Sequence, residues 1–319
     1  MKRIVTFILL LTTGLFTIAQ SKNFEGTVVY KTEIKSKEEG TTDRDWKKIL
    51  VLGDSMRVII KNGNYRQRTG NSEIYFIAKK ERAYLKFPGI DTLYYMEYGS
   101  DTSTVTGLSK TGEERNIIGY ACKPISIVTP STTRKYYYSP DIYLDPAPDI
   151  NNRIGRYDVF AKETSSLYLV AQEETKSYLV TQTCTRLQRE AINDSAFQLP
   201  PLPEKKFSMD AITIPAEYKG SSGWIRYLQT HMNADLGVKY IKLHRGESMA
   251  TQTVMVEFVI LETGRITNVK VLNKEEVHPK LAEEAVRVIT ESPSWRPATI
   301  LGERVKFWFK QPLTFAVTK

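Results

Sequence analysis

The chain has 319 residues, which is long enough for two domains that each bury a hydrophobic core. Its formal net charge at pH 7 is +9, but the basic residues are not interleaved with aromatic residues in a known nucleic-acid-binding arrangement, so no nucleic-acid partner is expected. The positive charge is compatible with an acidic partner such as an anionic membrane surface or lipid.

The first residues have the pattern of an export signal. Lys2 and Arg3 precede an apolar run at 4–18, and the small residues that follow predict cleavage after Ala19. The run is short for a membrane-spanning helix, so removal is expected. We predict a signal peptide at residues 1–19 and a mature protein exported to the periplasm, near the outer membrane. A retained anchor is the alternative.

Residues 20–200 are predicted to form a β-rich domain, because short alternating runs recur and helical periodicity is scarce. The predicted strands are 24–31, 46–52, 56–61, 74–78, 82–87, 92–98, 123–128, 134–139, 166–173 and 177–186. An antiparallel curved sheet or half-barrel is the expected form, and the whole chain falls in the α+β class.

Cys122 and Cys184 are the two cysteines of the chain. In an oxidising compartment they could form a disulfide bond that closes a long loop. Two buried thiols are the alternative, and the sequence leaves both open because the distance between the residues decides.

Three segments of this domain resemble a signature of exported Bacteroidetes domains of the DUF4412 and GLPGLI kind. They are residues 117–123, 138–142 and 192–200. Those domains are similar in outline to the LolA and LolB half-barrels, which hold lipoprotein acyl chains. The resemblance therefore implies a lipid or lipoprotein carrier as an alternative function, without any functional residue to carry over.

A proline-containing connector is predicted at residues 201–215, since proline fixes an extended backbone. Residues 222–232 are predicted to form a helix, and residues 235–247 an irregular connection. The side chains at helical spacing in the first of these segments are Trp224, Leu228 and His231.

The last part of the chain, residues 216–319, is predicted to be a small α+β domain. Residues 253–260 alternate as a strand, Gly264 supplies a turn, and residues 266–271 return as a second strand. A helix is expected from Pro279 to the Ser-Pro pair at 292–293, followed by closing strands. The expected architecture is an antiparallel sheet with one covering helix.

This part, from about residue 208 to 319, resembles the C-terminal domain of TonB-type energy transducers. The motif residues are Val254, Val256, Phe258, Gly264, Trp295 and Pro297, with the closing run 312–315. The resemblance implies a non-enzymatic domain that grips the TonB-box peptide of an outer-membrane transporter by strand addition. The long Pro-rich spacer of those transducers is missing here, so we predict an adaptor in envelope transport, with an atypical anchored transducer as an alternative.

The candidate docking edge is the closing strand at 304–315, because free backbone groups on a sheet edge can pair with an extended peptide. The candidate residues are Arg304, Lys306, Trp308, Lys310 and Phe315. The alternation predicts that Lys306, Trp308 and Lys310 face away from the core. An edge blocked by the chain itself, or a Trp308 buried against the N-terminal domain, is the alternative. Trp295 is expected to pack in the core.

No residues have the spacing of a catalytic or metal-binding site. The three histidines are scattered, without a carboxylate in a ligand register. We therefore expect no enzymatic activity, no metal and no cofactor, and a partner that is a transporter peptide or another envelope protein.

Overall fold

The computed structural model describes residues 23–220 and 223–319, so the predicted signal peptide at 1–19 lies outside the described residues. The strands of the N-terminal part are β1 (Gly26–Ser36), β2 (Ser55–Lys61), β3 (Asn64–Thr69), β4 (Ser72–Ile77), β5 (Arg82–Lys86), β6 (Leu93–Glu97), β7 (Gly107–Ser109), β8 (Arg115–Ile117), β9 (Tyr120–Val128), β10 (Thr133–Tyr143), β11 (Ser166–Glu174), β12 (Tyr178–Arg189) and β13 (Glu204–Lys206). Its helices are α1 (Asp43–Ile49) and α2 (Tyr157–Thr164).

These strands form one large curved open sheet of 13 strands. Strands β1 to β6 follow one another as an antiparallel meander, and β1 pairs on its other side with β12. The sheet continues through β11, β10 and β9 to β7 and β8. Register shifts at Val29/Tyr30 and Tyr137/Tyr138 bend the strands, because a bulge increases the local twist. The predicted curved antiparallel sheet is confirmed.

Helix α1 corrects the prediction of a strand at 46–52. The Thr42 hydroxyl accepts a hydrogen bond from Asp45 N at 3.3 Å, and the Asp45 carboxylate accepts one from Thr42 N at 2.7 Å. This reciprocal cap satisfies two N–H groups at the helix N-terminus and favours a helix over a strand. The strand prediction was therefore wrong, and the Thr-x-x-Asp pattern was the signal that could have corrected it.

The strands of the C-terminal part are β14 (Thr213–Ile214), β15 (Glu217–Tyr218), β16 (Met249–Ile260), β17 (Ile266–Val271), β18 (Trp295–Arg296), β19 (Thr299–Ile300), β20 (Glu303–Arg304) and β21 (Phe307–Thr318). The helices are α3 (Trp224–His231), α4 (Asp235–Tyr240) and α5 (Pro279–Thr290). Residues 235–240 were predicted to be irregular and are helical instead. Helix α4 contacts both α5 and β21, and such packing stabilises a short helix that would be unstable alone.

The central strand of the C-terminal sheet is β16, which lies between β17 and β21. Its residues Val254, Val256 and Phe258 are fully buried in one apolar cluster with Leu281 and Ala285 of α5. Two small sheets, β14–β19–β20 and β15–β18, complete this part. The predicted antiparallel sheet with a covering helix is confirmed.

The two parts of the chain share apolar contacts. Leu85, Phe87 and Tyr94 of the large sheet belong to the same buried cluster as Ile212 and the C-terminal core. The predicted connector also joins sheets, because β13 pairs in parallel with β6 and β14 pairs with β19. The C-terminal part is therefore held against one end of the large sheet.

The structure also bears on the predicted cysteine pair and on membrane-spanning helices. Cys122 and Cys184 are both free and buried in one apolar cluster, so the structure has the two thiols and not the disulfide. Burial raises the pKa of both thiols, which keeps them protonated at neutral pH. Within the described ranges, no helix combines the length and the apolar character needed to cross a bilayer.

Candidate functional site

The closing strand β21 lies at one edge of the C-terminal sheet. It pairs with β16 along its whole length, from Phe307 opposite Ile260 to Thr318 opposite Met249. In the described part of the chain, no strand pairs with the other side of β21. We call this side the outer edge.

The register of the sheet decides which backbone groups lie on the outer edge. Met255, which is opposite Pro312, directs its backbone toward β17: its N–H donates to Asn273 Oδ1 at 2.9 Å, and its carbonyl accepts from Leu272 N at 2.8 Å. In an antiparallel pair, the backbone groups of two opposed residues either point toward each other or both point away from each other. Those of Met255 point away from β21, so the backbone groups of Pro312 point away from β16, to the outer edge. By the alternation of the strand, outward groups also belong to Trp308, Lys310, Thr314 and Ala316.

Pro312 interrupts the outer edge. Proline has no N–H to donate. Its carbonyl accepts a hydrogen bond from Gln311 Nε2 at 2.8 Å, and Gln311 Oε1 accepts one from Trp224 Nε1 at 2.8 Å. Proline and a covered carbonyl are devices that limit edge-to-edge pairing in natural sheets. The outer edge is thus divided into a stretch before Pro312 and a stretch after it.

Helix α4 covers the far end of the outer edge. A Cβ atom on Gly237 of α4 would lie 2.7 Å from the backbone oxygen of Ala316, so only glycine allows this close approach. The longer stretch that α4 leaves uncovered is therefore Trp308 to Lys310, which has two outward N–H groups and two outward carbonyls. Thr314 supplies one more of each.

The N-terminal part binds the beginning of β21 through its side chains. Lys306 Nζ lies 2.8 Å from the Asp45 carboxylate, and both side chains are about nine-tenths buried, with 10% and 9% exposed. The Trp308 ring stacks on Trp46 with ring centres 5.5 Å apart, and its Nε1 donates to Glu38 Oε1 at 2.8 Å. Burial raises the pKa of Asp45, but hydrogen bonds from Lys306 and Thr42 outweigh it and lower this pKa to about 2. The Asp45 carboxylate is therefore charged at neutral pH.

The five predicted edge residues occupy different surroundings. Lys306 and Trp308 are held by the N-terminal part, whereas Lys310 lies on the exposed face, 3.5 Å from Glu257. Arg304 belongs to β20 in a small sheet, and Phe315 is buried in the core. The sequence analysis did not predict that Gln311 covers the Pro312 carbonyl. It also did not predict that Asp45 and Trp46 of α1 hold Lys306 and Trp308.

The motif residues of the C-terminal part lie in and around its core. Trp295 is 2% exposed, which confirms its predicted place in the core. Gly264 has a φ of 83°, and a Cβ there would lie 1.9 Å from the Trp295 backbone oxygen. Trp295 N also donates to Gly264 O at 2.8 Å, so the turn requires glycine in order to seat the tryptophan. Pro297 is half-buried beside them.

Residues 249–317 match the family model of the Gram-negative bacterial TonB protein C-terminal. The TonB C-terminal domain therefore includes β16, β17, α5 and nearly all of β21 with its outer edge. The match indicates an envelope protein. No curated protein matches the chain.

Solved structures show weak similarity to parts of the chain. PNGF-II is similar at 12% identity and a TM-score of 0.34, over 75% of this chain and 45% of the PNGF-II chain. This chain thus spans less than half of the PNGF-II chain. A structure described as an outer membrane lipoprotein-sorting protein domain from Vibrio parahaemolyticus is similar at 8% identity and a TM-score of 0.24, over 54% of this chain and 89% of that one. Similarity at this level supports no functional conclusion.

Away from the TonB C-terminal domain, the large sheet encloses a cavity of about 400 Å³. Its wall includes the buried apolar residues Val58, Ile60 and Leu167, and five tyrosines, of which Tyr30 is almost fully buried. The volume lies in the range of small-molecule sites, which is about 300 to 1,000 Å³. The large sheet therefore offers a second place where a ligand could bind.

The polar part of the cavity wall carries paired charges. Arg134 and Glu173 form an ion pair at 2.8 Å. Tyr65 and Asn152 of the wall donate hydrogen bonds, from Oη and Nδ2, to the buried Asp149, which lies behind the wall and does not line the cavity. Burial raises the pKa of Asp149 to about 6, against these hydrogen bonds, which lower it. Among the described residues, no group of three or more His, Cys, Asp and Glu side chains could hold a metal ion.

Proposed function

We propose that this chain is a periplasmic adaptor whose TonB C-terminal domain docks an extended peptide of an outer-membrane transporter. The guest peptide adds to the outer edge of β21 as a further strand. One observation carries the proposal: β21 is the edge strand of a domain that matches the TonB C-terminal family and has outward backbone groups at Trp308 and Lys310. Backbone pairing gives affinity in this mode, and side chains give selectivity.

The geometry supports a short pairing segment. The guest would exchange hydrogen bonds with the outward groups of Trp308 and Lys310, and pairing would weaken at Pro312 because that residue offers no donor. The Lys310 side chain is exposed and could contact acidic guest residues. Lys306 and the Trp308 ring are engaged by the N-terminal part and would act by holding the strand extended.

The adaptor is proposed to be non-enzymatic. The TonB C-terminal family is a non-enzymatic domain, which is consistent with this view. The same match supports the proposed periplasmic location, together with the export signal predicted at residues 1–19.

The test is the binding of TonB-box peptides to the exported chain, measured by isothermal titration calorimetry. The substitution Lys310→Pro removes one outward N–H, and an edge strand tolerates proline. We expect it to weaken binding at least about tenfold, since a lost hydrogen bond costs about 1 kcal/mol and the guest is also displaced.

The matched control is Lys310→Ala, which keeps the N–H and removes only the side chain. We expect this variant to bind within about threefold of the parent, because an exposed charge contributes little. Equal binding by Lys310→Pro and Lys310→Ala would show that peptides bind elsewhere. Circular dichroism and the thermal midpoint confirm that both variants are folded.

A second candidate function, favoured by the cavity, is the carriage of an apolar chain by the large sheet. The wall of buried Val58, Ile60 and Leu167 suits such a cargo. Native mass spectrometry of the protein purified without detergent would detect a co-purified lipid. A protein that stays empty after incubation with lipids would contradict carriage.

A further inference from the structure

The segment from Ile49 to Leu52 faces two sites at once. Leu50 and Leu52 line the cavity of the large sheet. Ile49 and Val51 pack against the buried cluster that joins Leu85 and Tyr94 of the large sheet to the C-terminal core. We call these four residues the coupling segment. A ligand in the cavity would contact the same segment that touches the TonB C-terminal domain.

Val51 holds the coupling segment in a strained conformation. Its φ is 54°, in the left-handed region that β-branched residues rarely adopt. Val51 N donates to Lys48 O at 3.2 Å and Leu52 N to Lys47 O at 2.9 Å, which tie the segment to the end of α1. Strain of this kind persists where the surrounding structure enforces it, and it is found in segments that have two arrangements.

A second route runs through side chains from the cavity to the docking edge. Val180 lines the cavity and packs in one buried cluster with Trp46. Trp46 stacks on Trp308, the first residue with outward groups on the outer edge of β21. Two side chains therefore separate a cavity ligand from the docking strand. Packed contacts of this kind can carry energetic coupling between two sites.

The cavity wall selects the chemistry of the ligand. The buried part of the wall is aliphatic and aromatic, as at Ile60 and Leu167. The more exposed part carries Gln172, Gln182 and the closed ion pair of Arg134 with Glu173, which together hold no net charge. An apolar tail would lie in the buried part, and an uncharged polar head would lie beside the amides and the ion pair. A small single-chain amphiphile with an uncharged head fits this wall.

We propose that the cavity is an effector site, at which a single-chain amphiphile with an uncharged head strengthens peptide docking at β21. This inference rests on the proposed peptide docking. The ligand packs against Leu50 and Leu52, fixes the coupling segment and α1, and thereby holds Trp308 in its extended conformation. A strand ordered in advance binds a guest more tightly because less entropy is lost on binding.

The experiment measures TonB-box peptide affinity with and without monolaurin, using the whole exported chain. We expect one bound monolaurin per chain by native mass spectrometry and a peptide affinity about fivefold tighter in its presence. Peptide should tighten monolaurin binding by the same factor, because coupling is reciprocal. Lauric acid, which has a charged head, should bind more weakly, and equal binding would contradict the uncharged head.

Two glycine substitutions distinguish coupling between the cavity and the docking edge from the general effect of a glycine at a position with positive φ. Val51→Gly fits the φ of 54° and removes the side chain that packs against the buried cluster shared by the large sheet and the C-terminal core. We expect it to bind both ligands and to show a clearly smaller enhancement than the parent, because only the contact from Val180 through Trp46 to Trp308 stays in place. Asn62→Gly is the matched control, since Asn62 has a φ of 49° on an exposed hairpin of the same sheet. It should keep the enhancement.

Hydrogen exchange at the Trp308 and Lys310 amides gives a readout that needs no peptide. Monolaurin alone should slow the exchange of both amides in the parent chain and slow it less in Val51→Gly. Failure of monolaurin to bind overturns the inference, as does peptide affinity that bound monolaurin leaves unaltered. If no peptide binds but monolaurin still slows these amides, the coupling stands and the proposed docking function fails.

Discussion

The large sheet and the TonB C-terminal domain are both antiparallel, but they differ in how their faces are covered. The large sheet curves around a cavity of about 400 Å³. The small sheet is covered by α5, and its core residues Phe258 and Trp295 are 0% and 2% exposed. The face of the large sheet is only partly covered by α1 and α2, which leaves a cavity, whereas the face of the small sheet is filled, and the backbone edge of β21 is the surface proposed for docking. The comparison therefore separates the two proposed binding modes, a cavity in the large sheet and a strand edge in the small one.

The two regions also shift the pKa of a buried aspartate in opposite directions. Asp45, at their junction, is paired with Lys306, and its pKa falls to about 2. Asp149, under the large sheet, has only neutral partners, and burial raises its pKa to about 6. An ion pair stabilises the charged form, while burial without a cation favours the neutral form.

The substitution Trp295→Ala tests the packing of the C-terminal core and has the largest expected effect. It removes a ring that contacts Trp224, Phe258 and Phe309. We expect the free energy of unfolding to fall by about 4 kcal/mol, the usual cost of deleting a large buried aromatic ring. Urea denaturation followed by circular dichroism measures it. A loss below about 1 kcal/mol would show that the C-terminal core is not tightly packed.

Removal of Lys306 tests the junction between the two regions. Lys306→Ala leaves the Asp45 carboxylate buried without its cation, so we expect a loss of about 3 kcal/mol in the free energy of unfolding. The matched control is Lys310→Ala, whose partner Glu257 is more exposed, and it should change stability by less than about 1 kcal/mol. Similar effects of the two substitutions would contradict a buried ion pair at the junction.

The contrast between the aspartates predicts opposite pH effects. The raised pKa of Asp149 means that its ionisation destabilises the fold as the pH rises from 3.8 through about 6. Asp149→Asn should therefore stabilise by about 1 to 2 kcal/mol above pH 6, with the gain vanishing below about pH 4. The buried Asn152 Oδ1, which has no partner, could accept from the new amide.

Asp45→Asn is the opposite case and serves as the control. Its lowered pKa means that the charged carboxylate contributes stability above 3.8, which is lost as the pH falls toward about 2. This variant should be destabilised at neutral pH and should approach the parent in acid. Unfolding curves of both variants between pH 2 and pH 8 check the signs, and parallel curves for the two would refute the assignment.

The smallest expected effect comes from filling the cavity. Ala171→Leu places a larger apolar side chain into the space lined by Ala171, and such filling stabilises by about 0.5 to 1 kcal/mol. Ala161→Leu is the control, because Ala161 is a buried residue of α2 and does not line the cavity. Overpacking there should destabilise by about 1 to 3 kcal/mol. Equal losses at both positions would show that the space is not available to a side chain.

Local sequence determined much of the fold. The alternation of Val254, Val256 and Phe258 predicted β16, and Pro279 marked the start of α5. Gly264 was predicted as a turn, and the structure shows why no other residue fits beside Trp295. These features depend on backbone conformation and on the period of apolar residues, which neighbours in the sequence set by themselves.

Other features were decided only by the tertiary structure. The sequence places a proline at 312, but its orientation on the outer edge depends on the register with Met255. The burial of Lys306 and Trp308 depends on α1, more than 250 residues away along the chain. The cavity likewise depends on how strongly the large sheet curves. Each of these rests on contacts between distant segments, and a pattern of neighbouring residues does not specify which distant surface it will meet.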